Sequence, residues 1–355
     1  MKIAIVLRVI SFSGAENVAN TLVREFLVKG HETHIILTGG ECPQDTTIKI
    51  ISAVANGPQV IRQIKRTLLL KKIIKTGNYD IVVGFGLVNT IHLLRAKLFT
   101  RFKVVGAARM DPILYPTQKL LRLERYILYR CLDGMIVQTT MQKQYFDRII
   151  KRGSIVIPNP VREVKIESLP IDMRKKKCVT IARLENKQKN HLFMLECFKE
   201  FVAKNPEYEL DFYGAGPDKK LYEEYVNQHQ LVGKVYFRGY SKNPQEDICD
   251  AEMFLLTSNH EGMPNALIEA MSMGIPSISI DCGGGGPRDL IQDGENGFLV
   301  QKGDKEGFVK RMDMLAKDKN MRSKISIEAI KINDKLEKSH IAEQWILALD
   351  SMSKS

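Results

Sequence analysis

This chain of 355 residues gathers its most distinctive residue types between Asn259 and Val300, in the run NHEGMPNALIEAMSMGIPSISIDCGGGGPRDLIQDGENGFLV. Glu261 and Glu269 enclose seven residues, and Pro264 lies between them. Pro264 suits the first turn of a helix, where its missing N–H costs nothing, and helical apolar spacing continues to about Met273. The start of that helix offers unpaired amide N–H groups and a positive dipole end, a natural seat for phosphate. A carboxylate only accepts hydrogen bonds and repels phosphate. Glu261 in front of the helix and Glu269 within it therefore call for hydroxyl partners. A ligand with phosphates in the middle and hydroxylated rings at both ends meets those demands, and a nucleotide sugar fits that description.

Two further motifs are weaker alone. Ala182-Arg183-Leu184-Glu185-Asn186-Lys187-Gln188-Lys189-Asn190 runs from a strand into a helix that starts at His191. Two cations there, Arg183 and Lys189, are placed to clamp a diphosphate. Ser13-Gly14-Ala15-Glu16 forms a glycine-containing turn that opens the first helix. No Asp-x-Asp pair occurs anywhere, so the sequence implies no metal and assigns charge neutralisation to the two cations.

The elements that must hold these motifs follow from periodicity. Lys2–Leu7, His34–Leu37, Asp80–Val83, Val104–Gly106, Gly134–Val137 and Ile155–Ile157 read as strands separated by helical stretches. The first helix, from Gly14 to Lys29, is closed by Gly30. Pro158-Asn159-Pro160 breaks the chain, and the charged stretch 161–177 reads as a linker. The rhythm restarts with strands at Cys178–Ile181, Leu210–Tyr213, Val235–Phe237, Met253–Leu256 and Ser277–Ile280, and the chain is helical from Lys305. The fold class is α/β: two doubly wound parallel sheets, with a ligand cleft between them at the carboxyl ends of the strands. The expected division is 1–165 and 166–337, with a final helix, about 338–355 and carrying Trp345, returning to the first domain.

Composition sets bounds. Hydrophobic residues make up 44% and charged residues 26%, as in an ordinary globular protein. No stretch reaches the ~18 apolar residues of a membrane span, and Met1–Ile10 reads as a strand rather than a leader, which points to the cytoplasm. Six cysteines are scattered without a CxxC pair, so reduced, buried thiols are expected. The formal net charge of +12 is uneven. Residues 1–165 hold 26 Lys+Arg against 11 Asp+Glu, and the remainder 27 against 30. The first-half clusters (Lys65, Arg66, Lys71, Lys72; Lys97, Arg101, Lys103; Arg122, Arg125, Arg130) alternate with Leu68-Leu69-Leu70, Leu98-Phe99 and Tyr126-Ile127-Leu128-Tyr129. That mixture favours an anionic membrane face over nucleic acid, for which no module signature is present.

Taken together, EGMPNALIEAMSMGIP, GGPRDLIQDGENGFLV, ARLENKQKN and SGAENVANTLVREFLVKGH resemble family 4 of the retaining glycosyltransferases, over nearly the whole chain. The resemblance implies the two-domain GT-B fold and roles for matching residues. Glu269 would bind the ribose hydroxyls and Glu261 those of the transferred sugar. Backbone amides at Met263, Asn265 and Ala266 would meet sugar and diphosphate, and Arg183 and Lys189 would neutralise the leaving group. Gly14 would let the first-domain loop approach the donor, with Glu16 beside it orienting sugar or acceptor. Tyr240, after Gly239, would lie near the base. Where many members have a histidine, this chain reads Ala108-Arg109-Met110-Asp111-Pro112. Arg109 is expected to replace it, with Asp111 orienting the guanidinium.

The resemblance implies transfer with retention from a UDP-sugar, of a hexose or N-acetylhexosamine, to an oligosaccharide or lipid-linked acceptor in bacterial surface-polysaccharide synthesis. Such a protein would work peripherally at the inner face of the membrane, with no cofactor beyond its donor. Two other classes stay open. A sugar-nucleotide epimerase of the same fold needs an acid/base pair that the sequence does not display. A non-catalytic basic binding protein leaves the Glu261/Glu269 and Arg183/Lys189 set unexplained.

Overall fold

The computed structural model describes residues 1–9, 14–40, 47–98, 100, 102–164, 166, 169–241 and 243–354. The chain divides into two units, Met1–Pro160 with Leu336–Ser355, and Val161–Lys335.

In the first unit, seven strands form one sheet: β1 (Lys2–Leu7), β2 (Glu32–Leu37), β3 (Lys49–Ser52), β4 (Ile81–Phe85), β5 (Lys103–Ala107), β6 (Gly134–Val137) and β7 (Ser154–Val156). Their order is β3-β2-β1-β4-β5-β6-β7, and every pairing is parallel. Consecutive residues Ile3, Ala4, Ile5 and Val6 are all fully buried, as a parallel strand covered on both faces requires. The helices are α1 (Gly14–Val28), α2 (Gln59–Gly77), α3 (Leu87–Lys97), α4 (Lys119–Leu128) and α5 (Thr140–Phe146). α1 ends before Gly30, whose φ of +82° suits glycine.

In the second unit, β8 (Lys175–Ile181), β9 (Glu209–Tyr213), β10 (Val235–Gly239), β11 (Ala251–Leu256), β12 (Ser277–Asp281) and β13 (Phe298–Gln301) order as β10-β9-β8-β11-β12-β13, again all parallel. Its helices are α6 (Asn186–Lys189), α7 (His191–Val202), α8 (Lys219–Gln228), α9 (Pro244–Ile248), α10 (Asn265–Ser272), α11 (Gly286–Leu290), α12 (Lys305–Lys317), α13 (Lys319–Ile330) and α14 (Ile332–Lys335). A final helix, α15 (Lys338–Lys354), lies in the first unit, where it packs on α1 and β5. Trp345 of α15 is fully buried and stacks on Phe85 with ring centroids 6.1 Å apart.

Several details depart from the sequence reading. The division falls after Pro160, earlier than expected, and 161–177 is not all linker. β8 already starts at Lys175, because its charges are paired: Lys175 lies 2.9 Å from Asp250 and Lys176 3.3 Å from Glu252, and Lys177 also pairs with Asp250. β3 and β13 were not foreseen; both are four-residue edge strands, too short to show a period. Arg125 is no surface cation. It is buried and donates to the carbonyls of Tyr115 and Pro112. The five described cysteines are free thiols, with Cys178, Cys197 and Cys282 buried and Cys131 exposed.

Each sheet reverses its strand order once, at β1/β4 and at β8/β11. In doubly wound sheets ligands bind at such switch points, beyond the carboxyl ends of the strands. In the second unit the segments following β8 and β11 carry Arg183, Lys189 and Glu261.

Candidate functional site

The site in the second unit starts from a loop that its surroundings hold closely. Leaving β11, Thr257 donates to the carbonyls of Lys189 and Asn190, and the Asn259 amide donates to that of Gln188 at 2.7 Å. The Glu261 amide donates to Gly283, whose own amide returns a bond to Asn259. The loop thus joins the turn after β8 to the glycine run after β12. Gly286 of that run passes so close that a Cβ there would lie 2.0 Å from the Gly262 carbonyl oxygen. This glycine run is therefore a packing device for the Glu261 loop.

Glu261 is buried, at 8% exposure. Its Oε1 accepts from Lys189 Nζ at 2.5 Å and from Ser258 Oγ at 2.6 Å. Lys189 reaches it because α6 inserts one turn before α7, where the sequence suggested plain loop. Asp218 caps that turn by accepting from the Asn186 amide at 2.7 Å, and Asn190 closes it at φ +53°. Arg183 has a different carboxylate beside it. It stays exposed, 3.3 Å from Glu185. The expected clamp therefore consists of two cations with separate carboxylate partners.

α10 begins at Asn265 with Pro264 as its N-cap, one residue later than expected; the Pro264 carbonyl accepts from Leu267 and Ile268. Most of the helix is buried. Asn265, Ala266 and Glu269 alone remain partly open, at helical spacing on one face. Glu269 thus stands one turn behind the amides of the first turn. Burial pushes its carboxyl above the usual range, and Arg162 partly opposes this. Met263 is buried just before the helix. Tyr240 is 63% exposed and lines a polar cavity of about 540 Å³ with Tyr213, Arg238, Ser241 and Asp247, among others. Arg238 is held there by buried Asp211 at 3.0 Å.

The first unit carries the remaining candidates. Gly14 and Glu16 open α1, but residues 10–13, Ser13 included, lie outside the described residues. Arg109 follows β5. Its guanidinium lies over the Phe85 ring at 3.9 Å and near Trp345 at 5.4 Å, and Nη1 donates to Asn159 Oδ1 at 2.9 Å. Gln138 donates to the same Oδ1 at 2.7 Å. Among the described residues Nε and Nη2 are shut off from solvent without an acceptor, and burial lowers the pKa of the group. Asp111 does not orient Arg109. Its carboxylate accepts from the Ile113 amide at 2.8 Å, closing the turn that follows. Asn159 holds that place, and its position fifty residues along the chain hid it.

Sequence reasoning also missed Ser258, Asp218 and Gln138. Ser258 stands three residues before Glu261, the one proximity that could have flagged it. Among the described residues, no group of His, Cys, Asp and Glu side chains could hold a metal ion, and no helix is long and apolar enough to cross a membrane.

Comparison with known proteins gives a consistent picture. Residues 161–332 match the family of glycosyl transferases group 1. The chain is 27% identical over 356 residues to a Campylobacter jejuni alpha-1,4-N-acetyl-D-galactosaminyltransferase, named for a diNAcBac-PP-undecaprenol-linked GalNAc substrate; the match covers 98% of this chain and 97% of that protein. It is 30% identical over 184 residues to poly(glycerol-phosphate) alpha-glucosyltransferase of Bacillus subtilis, covering 52% of this chain and 27% of the other. Among solved structures, Anabaena Alr3699/HepE in complex with UDP and glucose superposes with a TM-score of 0.83 at 17% identity, over 99% of this chain and all of that one. At that identity the likeness speaks for the fold alone, which is the GT-B fold of two Rossmann-like units.

Proposed function

We propose, from the match of residues 161–332 to the glycosyl transferases group 1 family, that the protein transfers a sugar from a UDP-sugar to a saccharide acceptor carried on a lipid. The observation that carries this reading is the placing of Glu269. It stands one turn behind the open first-turn residues of α10, with no side-chain hydrogen bond among the described residues and with a raised pKa, while Glu261 waits in front of the same helix. Hydroxyls of the ribose meet Glu269, hydroxyls of the transferred sugar meet Glu261, and the diphosphate lies at the helix start among the amides of Met263, Asn265 and Ala266. Lys189 gives one of its three N–H donors to Glu261 and keeps two for phosphate. Arg183 is exposed and free to turn toward the same group.

In the reaction the anomeric carbon loses its bond to the diphosphate oxygen and gains one to the acceptor oxygen. The acceptor's proton leaves with UDP. Fixed positive charge around the departing diphosphate lowers the barrier without a metal. Attack from the face that the leaving group vacates retains configuration, and the leaving phosphate itself takes the proton. Tyr240 flanks the base. The names of the relatives support a hexose or N-acetylhexosamine as the transferred group and a lipid-linked glycan as acceptor.

Calorimetric titration with UDP and a panel of UDP-sugars, with and without EDTA, tests the reading. Binding that survives EDTA and disappears in Glu269→Ala is the expected result. Binding that Glu269→Ala leaves intact, or that requires a divalent ion, would overturn the assignment of this carboxylate and of metal-independent chemistry respectively.

A further inference from the structure

α2 is an unusual helix for a surface position. Of its 19 residues only Leu70 and Ile74 are buried, and Val60, Ile61, Ile64 and Leu68 stand exposed along one stripe. It has no Asp or Glu and six cations: Arg62, Lys65, Arg66, Lys71, Lys72 and Lys75. α4 repeats the pattern, with Leu120, Leu123 and Ile127 exposed at 76%, 56% and 55% beside Lys119 and Arg122. Both helices pack on α3, and Arg95 of α3 ties them together. Its Nη1 donates to Gln63 of α2 at 3.2 Å, and its Nε donates to Glu124 of α4 at 2.6 Å. The one acidic side chain of the two helices is thereby neutralised from within the layer.

We propose that the α2–α3–α4 layer of the first unit is a docking surface for an anionic phospholipid bilayer. Helices with aliphatic stripes flanked by cations lie in the plane of a membrane, the aliphatic side chains at the acyl boundary and the cations among the phosphates. Charge selects this occupant. A second copy of the chain would bring six more cations against the same six, and a nucleic acid would leave seven aliphatic side chains in water. Insofar as this puts the acceptor in the bilayer, the inference rests on the function proposed above; the surface itself does not depend on it.

The test is flotation of the full chain with vesicles of phosphatidylcholine alone and of phosphatidylcholine with phosphatidylglycerol, at about 0.15 M salt. The expected result is binding to the mixed vesicles and at least roughly tenfold weaker binding to phosphatidylcholine alone. Ile61→Ser/Ile64→Ser/Leu68→Ser and Leu120→Ser/Leu123→Ser should each weaken binding by about tenfold or more. Arg62→Gln/Lys65→Gln, confined to exposed positions, should weaken it by a similar factor. UDP titration of every variant should match the unsubstituted chain. Failure of the unsubstituted chain to float, equal binding to both vesicles, or variants that float undiminished would each overturn the proposal. So would concentration-dependent dimerisation, measured by sedimentation, that the same substitutions abolish. Flotation without UDP binding would instead defeat the transferase reading and leave the docking surface standing.

Discussion

Glu261 and Lys189 form a pair whose two halves differ in exposure to loss. Glu261 is buried and, among the described residues, keeps only Ser258 as a side-chain partner if Lys189 is removed. Lys189→Met should therefore destabilise the second unit by about 3–5 kcal/mol, the range for breaking a buried ion pair from one side. Transfer should fall by roughly 10²–10³-fold, as when one donor to a developing charge is lost. Adding Glu261→Leu should restore much of the stability in urea unfolding but none of the turnover. A single variant as stable and active as the parent would reduce the pair to a surface contact. Glu269 predicts a pH effect of definite sign. Burial raises its folded pKa above the ordinary carboxylate value. The stability it contributes is present at low pH and lost as pH rises through the raised value. Hydroxyl donors prefer the carboxylate, so UDP affinity should fall as pH drops through that same value. Glu269→Gln should bind more weakly and show a flatter profile. The placing of both glutamates about one helix was legible in sequence because it depends on local spacing alone. The environment of Arg109 was not. The Arg-x-Asp-Pro resemblance points to Asp111 as its partner, whereas the fold supplies Asn159 and Trp345, which no local pattern connects to it.

The elements bear on the site through backbone proximity more than through side chains. Gly286→Ala would force its Cβ against the Gly262 carbonyl, and neither partner is a flexible side chain. We expect a cost of about 1–3 kcal/mol, typical of overpacking, and a loss of UDP affinity as the Glu261 loop is displaced. Thermal unfolding and titration of the purified variant decide this, and unchanged values for both would mean that the loop has room to move. The long buried strands and amphipathic helices were readable because their patterns run for several residues. The short edges and the lysine run opening β8 were not, since their placement depends on Asp250 and Glu252, some seventy-five residues away. α6 escaped for a similar reason: a single turn has no period, and its cap comes from Asp218.

At the scale of the whole molecule the chain is discontinuous. It leaves the first unit after Pro160 and returns to it at Leu336. The returning helix fills a place in the first unit's core, where Trp345 lies on Phe85 and a Cβ at Gly134 would collide with Met352. Trp345→Ala should cost about 3–5 kcal/mol, all of it in the first unit. Calorimetric melting that resolves the two units should show one transition moving down and the other unmoved; a shift of both would mean that they unfold as one. The chain has one tryptophan in total, and this is it. Its ultraviolet emission is therefore an optical label on one unit, supplied by the chain itself. Emission and far-ultraviolet dichroism need not trace the same melting curve, and a mismatch between them would report one unit melting without the other. The second unit, where the donor is proposed to bind, is dark at this wavelength. Any change in emission on adding UDP would register a message received in the first unit.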